Sequence, residues 1–155
     1  MRAPGNTLIP PTPTPTPPTP TPVPPLAELA SRTYTVLLSP TPRGARLARL
    51  LTSAQLRSWE LPFENAAHVV GELAANAATH GRVQGRDFRL TLYVIDDALR
   101  MEVTDTQGAR LPHPQHPLPT ATSGRGLLLV EALSNRWGVT EGPPPRKTVW
   151  AEIDL

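Results

Sequence analysis

From residue 32 onward, apolar positions recur either at every second residue or at every third to fourth, and the switches between the two periods predict the elements. "RTYTVLLS" (32–39) is β-branched and aromatic enough for a strand, and "SPTP" stops it. Thr41 can then cap a helix with Pro42 at its first position, and Ala45, Leu47, Ala48, Leu50, Leu51, Ala54 and Leu56 supply its apolar face through about Ser58. A second helix is predicted after "ELP", running through Val69, Val70, Leu73 and Ala77 until Gly81 ends it. In "DFRLTLYVIDDALRMEVTD" (87–105) Phe88, Leu90, Leu92 and Val94 alternate with polar residues, Asp96-Asp97 makes a turn, and Leu99, Met101 and Val103 alternate on the return. That pattern predicts a hairpin. Residues Gly108 to Ser123 carry four prolines and no period, as a functional or irregular loop does. "GRGLLLVEALSNRWG" (124–138) is predicted as a helix opening on glycines, and "KTVWAEIDL" as a last strand after a "GPPP" turn. These pieces assemble most simply as an α+β fold, a two-layer sandwich with helices on one face of a sheet.

Composition adds a boundary at the other end of the chain. Eleven of the 21 prolines fall in the first 25 residues, where Arg2 is the only charged side chain. "PPTPTPTPPTPTPVPP" (10–25) fixes φ repeatedly and removes backbone donors, so polyproline II is expected there within a disordered Pro/Thr-rich tail over 1–25, followed by one folded domain over 26–155. A length of 155 residues allows no second domain. The net charge of +2 has no basic cluster behind it, so nucleic acid is not implied as a partner. There is no cysteine, hence no disulfide framework. The N-terminus has no continuous apolar stretch, and nothing later reaches membrane-spanning length. A soluble, cytoplasmic protein is the expectation.

Three patches carry chemistry. In "ELAANAATHG" (72–81) Glu72, Asn76 and His80 recur every four residues and fall on one stripe of the helix, opposite Val69, Val70, Leu73 and Ala77. An Asn oxygen is a hard ligand suited to Mg²⁺, which takes few protein ligands when phosphates and waters complete its octahedron. Glu72, one turn away, can act as a general base. In "VTDTQGARLP" (103–112), Asp105 at a strand end can accept from the exocyclic amine of adenine while Gly108 lets a ring approach the backbone. In "SGRGLLLVEAL", Gly124 and Gly126 precede a helix whose free N–H groups receive phosphate, and Arg125 adds charge-assisted bonds. Singly, each has a plainer account: a solvated helix face, a turn, a helix start. His68 has no dimerising helical pair around it to make it a phospho-acceptor, His113 and His116 have no further ligands converging in sequence, and Trp59, Trp137 and Trp150 are expected in the core or facing a partner.

In that order, "ELAANAATH", "VTDTQGARLP" and "SGRGLLLVEALSNRWGV" resemble the N, G1 and G2 boxes of the GHKL ATPase superfamily, the Bergerat fold. The nearest likeness is to the short anti-sigma-factor serine/threonine kinases, over roughly residues 30–155. The resemblance implies a mixed, mostly antiparallel sheet covered on one face by helices, with ATP and Mg²⁺ held between the helices and a lid at 109–123. It implies Glu72 as the base and Asn76 as the Mg²⁺ ligand. Asp105, with Gly108, would hold adenine; Gly124, Arg125, Gly126 and Leu127 would line the phosphates; Thr148 would stand beside the base. His80 matches the family histidine in a supporting role. Asp105-Thr106-Gln107-Gly108 is one residue longer than the usual Asp-x-Gly, and the lid is rich in proline rather than glycine.

The implied activity is Mg²⁺-dependent transfer of phosphate from ATP to a Ser or Thr of an antagonist protein, with a sigma factor as the second partner and no contact with nucleic acid or membrane. Two other readings stand beside it: a non-catalytic switch in which nucleotide orders a partner surface, and a detached histidine-kinase-like ATPase domain. Homodimers are common among proteins of this kind, and no residue here speaks to that state.

Overall fold

The computed structural model describes residues 32–80, 86–105, 125–143 and 146–155. Over these the order is β1 (Thr33–Leu38), α1 (Pro42–Ser58), α2 (Glu64–His80), β2 (Phe88–Ile95), β3 (Ala98–Asp105), α3 (Gly126–Leu133), β4 (Arg136–Glu141) and β5 (Lys147–Asp154). The expected spacer at 1–25, Gly81, Gly108, the expected lid at 109–123 and Gly124 lie outside the described residues, as does the side chain of His80.

Helix α1 starts as its sequence dictates. Thr41 is extended and its Oγ1 accepts the Gly44 N–H at 3.0 Å, with Pro42 just inside. Gly44 is required there, because a Cβ would stand 1.9 Å from the Ser39 carbonyl oxygen. The buried stripe of α1 is Gly44, Ala45, Ala48, Thr52 and Leu56, and Thr52 satisfies its hydroxyl on the Ala48 carbonyl at 2.8 Å. Leu47 and Leu50, expected on the apolar face, are exposed because they lie well round the helix from that stripe. The helix ends with Glu60 at φ 59°. The Leu61 N–H bonds the Leu56 carbonyl and the Glu60 N–H bonds that of Arg57, which is the Schellman pattern with glutamate in the left-handed position.

The five strands of the described residues form one sheet in the order β1-β2-β3-β5-β4. Every pair is antiparallel, so the mixed character expected of the sheet is not found among them. Asp96 and Asp97 both have positive φ, 46° and 61°, as a tight two-residue hairpin requires. The period of two sends Phe88, Leu90, Leu92, Leu99, Met101, Val103, Val149 and Ala151 to one face, where they pack with Val69, Val70, Leu73 and Ala77 of α2 and Val130 of α3. Each of these large side chains, removed from water, contributes on the order of 2 kcal/mol.

The helix predicted over 124–138 is shorter, and its last residues enter a strand. It stops at Leu133, Ser134 returns its hydroxyl to the Val130 carbonyl at 2.5 Å, and the Asn135 N–H turns instead to the Glu152 carbonyl at 2.8 Å. Arg136–Glu141 then pairs with β5 as an edge strand. A β-branched and aromatic run, "RWGVTE", gains more from a ladder than from continuing the helix.

The face of the sheet away from the helices is polar. Arg100 donates to Glu102 at 2.7 Å and to Glu152 at 2.8 Å, Arg136 donates to Glu152 and Asp154 at 2.7 Å each, and Tyr93 donates to Glu102 at 2.8 Å. The Arg100 guanidinium also lies 4.1 Å from the centre of the Trp150 ring.

Candidate functional site

Helix α2 is anchored by Val69, Val70, Leu73, Ala74 and Ala77, all buried. That anchoring leaves the next stripe, Glu72 and Asn76, half-buried. Residues four apart on a helix have Cβ atoms about 5–6 Å apart, so the carboxylate and the amide share one small region. The sequence placed these two side chains on one face, and the fold keeps them there.

Helix α3 meets this stripe at its first turn. A Cβ built on Gly126 would stand 2.5 Å from Glu72 Oε2, so the carboxylate lies directly against the opening of α3. Only a residue without a side chain permits that approach. Arg125 precedes the helix at the capping position and is exposed, while the Leu127 side chain is buried in the core and leaves its backbone to the helix start. First-turn N–H groups together with the helix dipole attract anions. Here the carboxylate of Glu72 lies against that opening.

Asp105 ends β3 on the helix-facing side of the sheet and is 5% exposed. Its cross-strand partner is Lys147, 4% exposed, whose Nζ lies 3.8 Å from Asp105 Oδ2. Thr148 does not stand beside Asp105. Its hydroxyl is on the opposite face, 2.7 Å from that of Thr104. The alternation of a strand decides this: Val149 and Ala151 point into the core, so 147 joins them and 148 cannot. The pattern "KTVWA" carries that alternation, which sets Thr148, expected beside the base, on the face opposite Asp105.

Residues 38–153 match the family model of the histidine kinase-like ATPase domain. The chain belongs to this family. An ATPase-domain family implies ATP as the ligand class. No curated protein matches the chain by sequence. Among solved structures, the RsbU and RsbW domains of Rv1364c from Mycobacterium tuberculosis are similar with a TM-score of 0.62 at 18% identity, covering 81% of this chain and 32% of that one. At that identity the likeness is one of fold, and this chain spans about a third of that structure's length.

The donor set accords with the cofactors this family implies. Among the described residues no three His, Cys, Asp or Glu side chains gather to hold a metal. A cation at Asn76 would therefore draw most of its oxygens from phosphate and water, which is the habit of Mg²⁺ rather than of zinc or calcium. Asp105 is a buried carboxylate at the end of β3, and α3 opens on Gly126. Among the described residues no helix is long and apolar enough to cross a membrane.

Proposed function

We propose that this histidine kinase-like ATPase domain binds ATP with Mg²⁺ and transfers the γ-phosphoryl group to a Ser or Thr of an antagonist protein, as the anti-sigma-type members it resembles are expected to do. The observation that carries the reading is the seating of Glu72 against Gly126, with Asn76 one turn further along α2.

In that reading Asp105 receives the adenine amine, and Gly126, Leu127 and Arg125, with Gly124 before them, receive the phosphates. Asn76 would hold Mg²⁺, whose charge neutralises the phosphate oxygens when bound. Glu72 takes the proton from the attacking hydroxyl. The bond from that oxygen to the γ-phosphorus forms as the bond to the β–γ bridging oxygen breaks, and ADP leaves. The partner protein acts in the cytoplasm together with a sigma factor.

Calorimetric titration of the full chain with ATP, with and without Mg²⁺, is the deciding experiment. Wild type is expected to bind ATP more tightly when Mg²⁺ is present, and Asn76→Ala to bind with no Mg²⁺ dependence. Glu72→Gln is expected to keep its ATP affinity within roughly threefold while transfer from labelled ATP to the antagonist falls by about 10²- to 10⁴-fold. No heat with ATP overturns the reading, and equal transfer by wild type and Glu72→Gln overturns the role of Glu72.

A further inference from the structure

Helix α1 carries two stripes of apolar residues. The buried one is made mostly of small side chains, Gly44, Ala45, Ala48 and Thr52, with Leu56 at its end. The outward one runs Arg43, Leu47, Leu50, Ala54 and Arg57, and every member of it is exposed. Its alternating steps of four and three residues keep it within about 80° of one side of the helix, the narrow width of a coiled-coil seam. Leu47 is 43% exposed and Leu50 60%, so two of the largest apolar side chains on α1 face water while alanines fill the core beneath it. A lone exposed leucine is ordinary. Two in register on one outward stripe have the spacing by which a helix face holds a partner helix.

Charge decides which partner fits. The segment 42–58 has four arginines and no Asp or Glu. Among the described residues no carboxylate pairs with any of them. The Arg57 guanidinium stacks on the Phe63 ring at 4.3 Å, while Arg43 and Arg46 stand exposed in and beside the seam. A second copy of α1 would set like charge against like across such a contact. A lipid surface calls for a wider apolar face, with aromatic residues, than two leucines and an alanine supply. A helix whose own apolar seam is flanked by Asp or Glu meets both the leucines and the arginines.

We propose that the outward face of α1 is a docking surface for an amphipathic, acid-flanked helix of a partner protein, with Leu47 and Leu50 as its apolar anchors and Arg43 and Arg46 selecting the charge of the partner. None of these residues belongs to the candidate nucleotide site, so the inference stands independently of the ATP reading.

Fluorescence anisotropy on the full chain tests it with two labelled peptides of about 21 residues. Both have leucine at the a and d positions of the heptad; one has glutamate at e and g, the other lysine, and the repeated like charge keeps each from pairing with itself. Wild type is expected to bind the glutamate peptide with a Kd of about 100 µM and the lysine peptide at least roughly tenfold more weakly, a preference that shrinks in high salt. Leu47→Ser with Leu50→Ser is expected to weaken the glutamate peptide by about tenfold or more, with the fold retained by circular dichroism because both positions are exposed. Arg43→Glu with Arg46→Glu is expected to reverse the preference between the two peptides, a change that lost folding would not produce. Failure of wild type to bind the glutamate peptide, or binding that both double variants leave unchanged, overturns the proposal. So does adsorption to phosphatidylserine vesicles without peptide binding, or dimerisation of the chain that the leucine variant abolishes, since either gives the face a different occupant.

Discussion

The carboxylate oxygen Oε2 of Glu72 stands 2.5 Å from the point that a Cβ on Gly126 would occupy. Two helices far apart in sequence thus share a contact in which a Cβ on one would displace the carboxylate of the other. Glycine at 126 serves two ends here: it opens α3 and leaves room for the carboxylate that α2 delivers.

Gly126→Ala separates these roles. The obstructed atom is the end of a flexible side chain and alanine favours the helix, so the folding cost is expected to stay within about 1 kcal/mol. Displacement of the Glu72 carboxylate is expected to lower phosphotransfer by about 100-fold. Thermal denaturation beside a labelled-ATP assay reads both, and a variant with wild-type transfer would show that the contact has no bearing on chemistry.

Thr148→Val is expected to leave ATP affinity within roughly twofold, since the Thr148 hydroxyl bonds Thr104 on the face away from Asp105. Its cost is that of one partly exposed hydroxyl pair, about 0.5–1 kcal/mol by urea denaturation. A tenfold loss of ATP affinity in a folded variant contradicts the register.

Glu60→Gly is expected to stabilise the protein. Glutamate at φ 59° bears a left-handed penalty of about 1–2 kcal/mol that glycine escapes. The greater freedom of glycine in the unfolded chain takes back part of it, leaving a net gain of about 0.5–1 kcal/mol in chemical denaturation. A loss of stability would mean that the Glu60 side chain contributes more than its backbone costs.

The polar face of the sheet sets two pH limits. Arg136 and Arg100 hydrogen-bond the Glu152 carboxyl and hold it below the usual carboxylate range. Its folded pKa is lower than its unfolded one, so its contribution is full above the ordinary value and fades as the pH falls through the lowered one. The stability difference between wild type and Glu152→Gln is expected to shrink accordingly in acid. Burial, together with the hydrogen bond to Glu102 and the charge of that carboxylate, pushes Tyr93 up to about 12. That group contributes fully below its unfolded value of 10.0 and loses its contribution as the pH rises toward 12. Ultraviolet titration of wild type against Tyr93→Phe is expected to assign the late-ionising phenol to Tyr93. A phenol that ionises near 10 in folded protein removes that second limit.

Much of this architecture was legible in the chain. Thr41-Pro42 marked the start of α1, the alternation from Phe88 to Val103 with Asp96-Asp97 between gave the hairpin, and the four-residue spacing of Glu72 and Asn76 put both on one stripe of α2. These are local matters, set by dihedral preference and by the periods of helix and strand. The edge strand β4 was less so, because "LSNRWGV" suits either period and only the unpaired side of β5 offered Arg136–Glu141 its hydrogen bonds.

The sequence by itself determined which side chains share a helix or a strand face, since those relations follow from backbone repeat and need no partner. Tertiary structure alone decided the relations between elements: Glu72 against Gly126, Lys147 against Asp105, Thr148 turned to Thr104. Contacts between distant segments depend on how strands align and how helices close on the core, and those are settled by burying apolar surface over the whole domain at once.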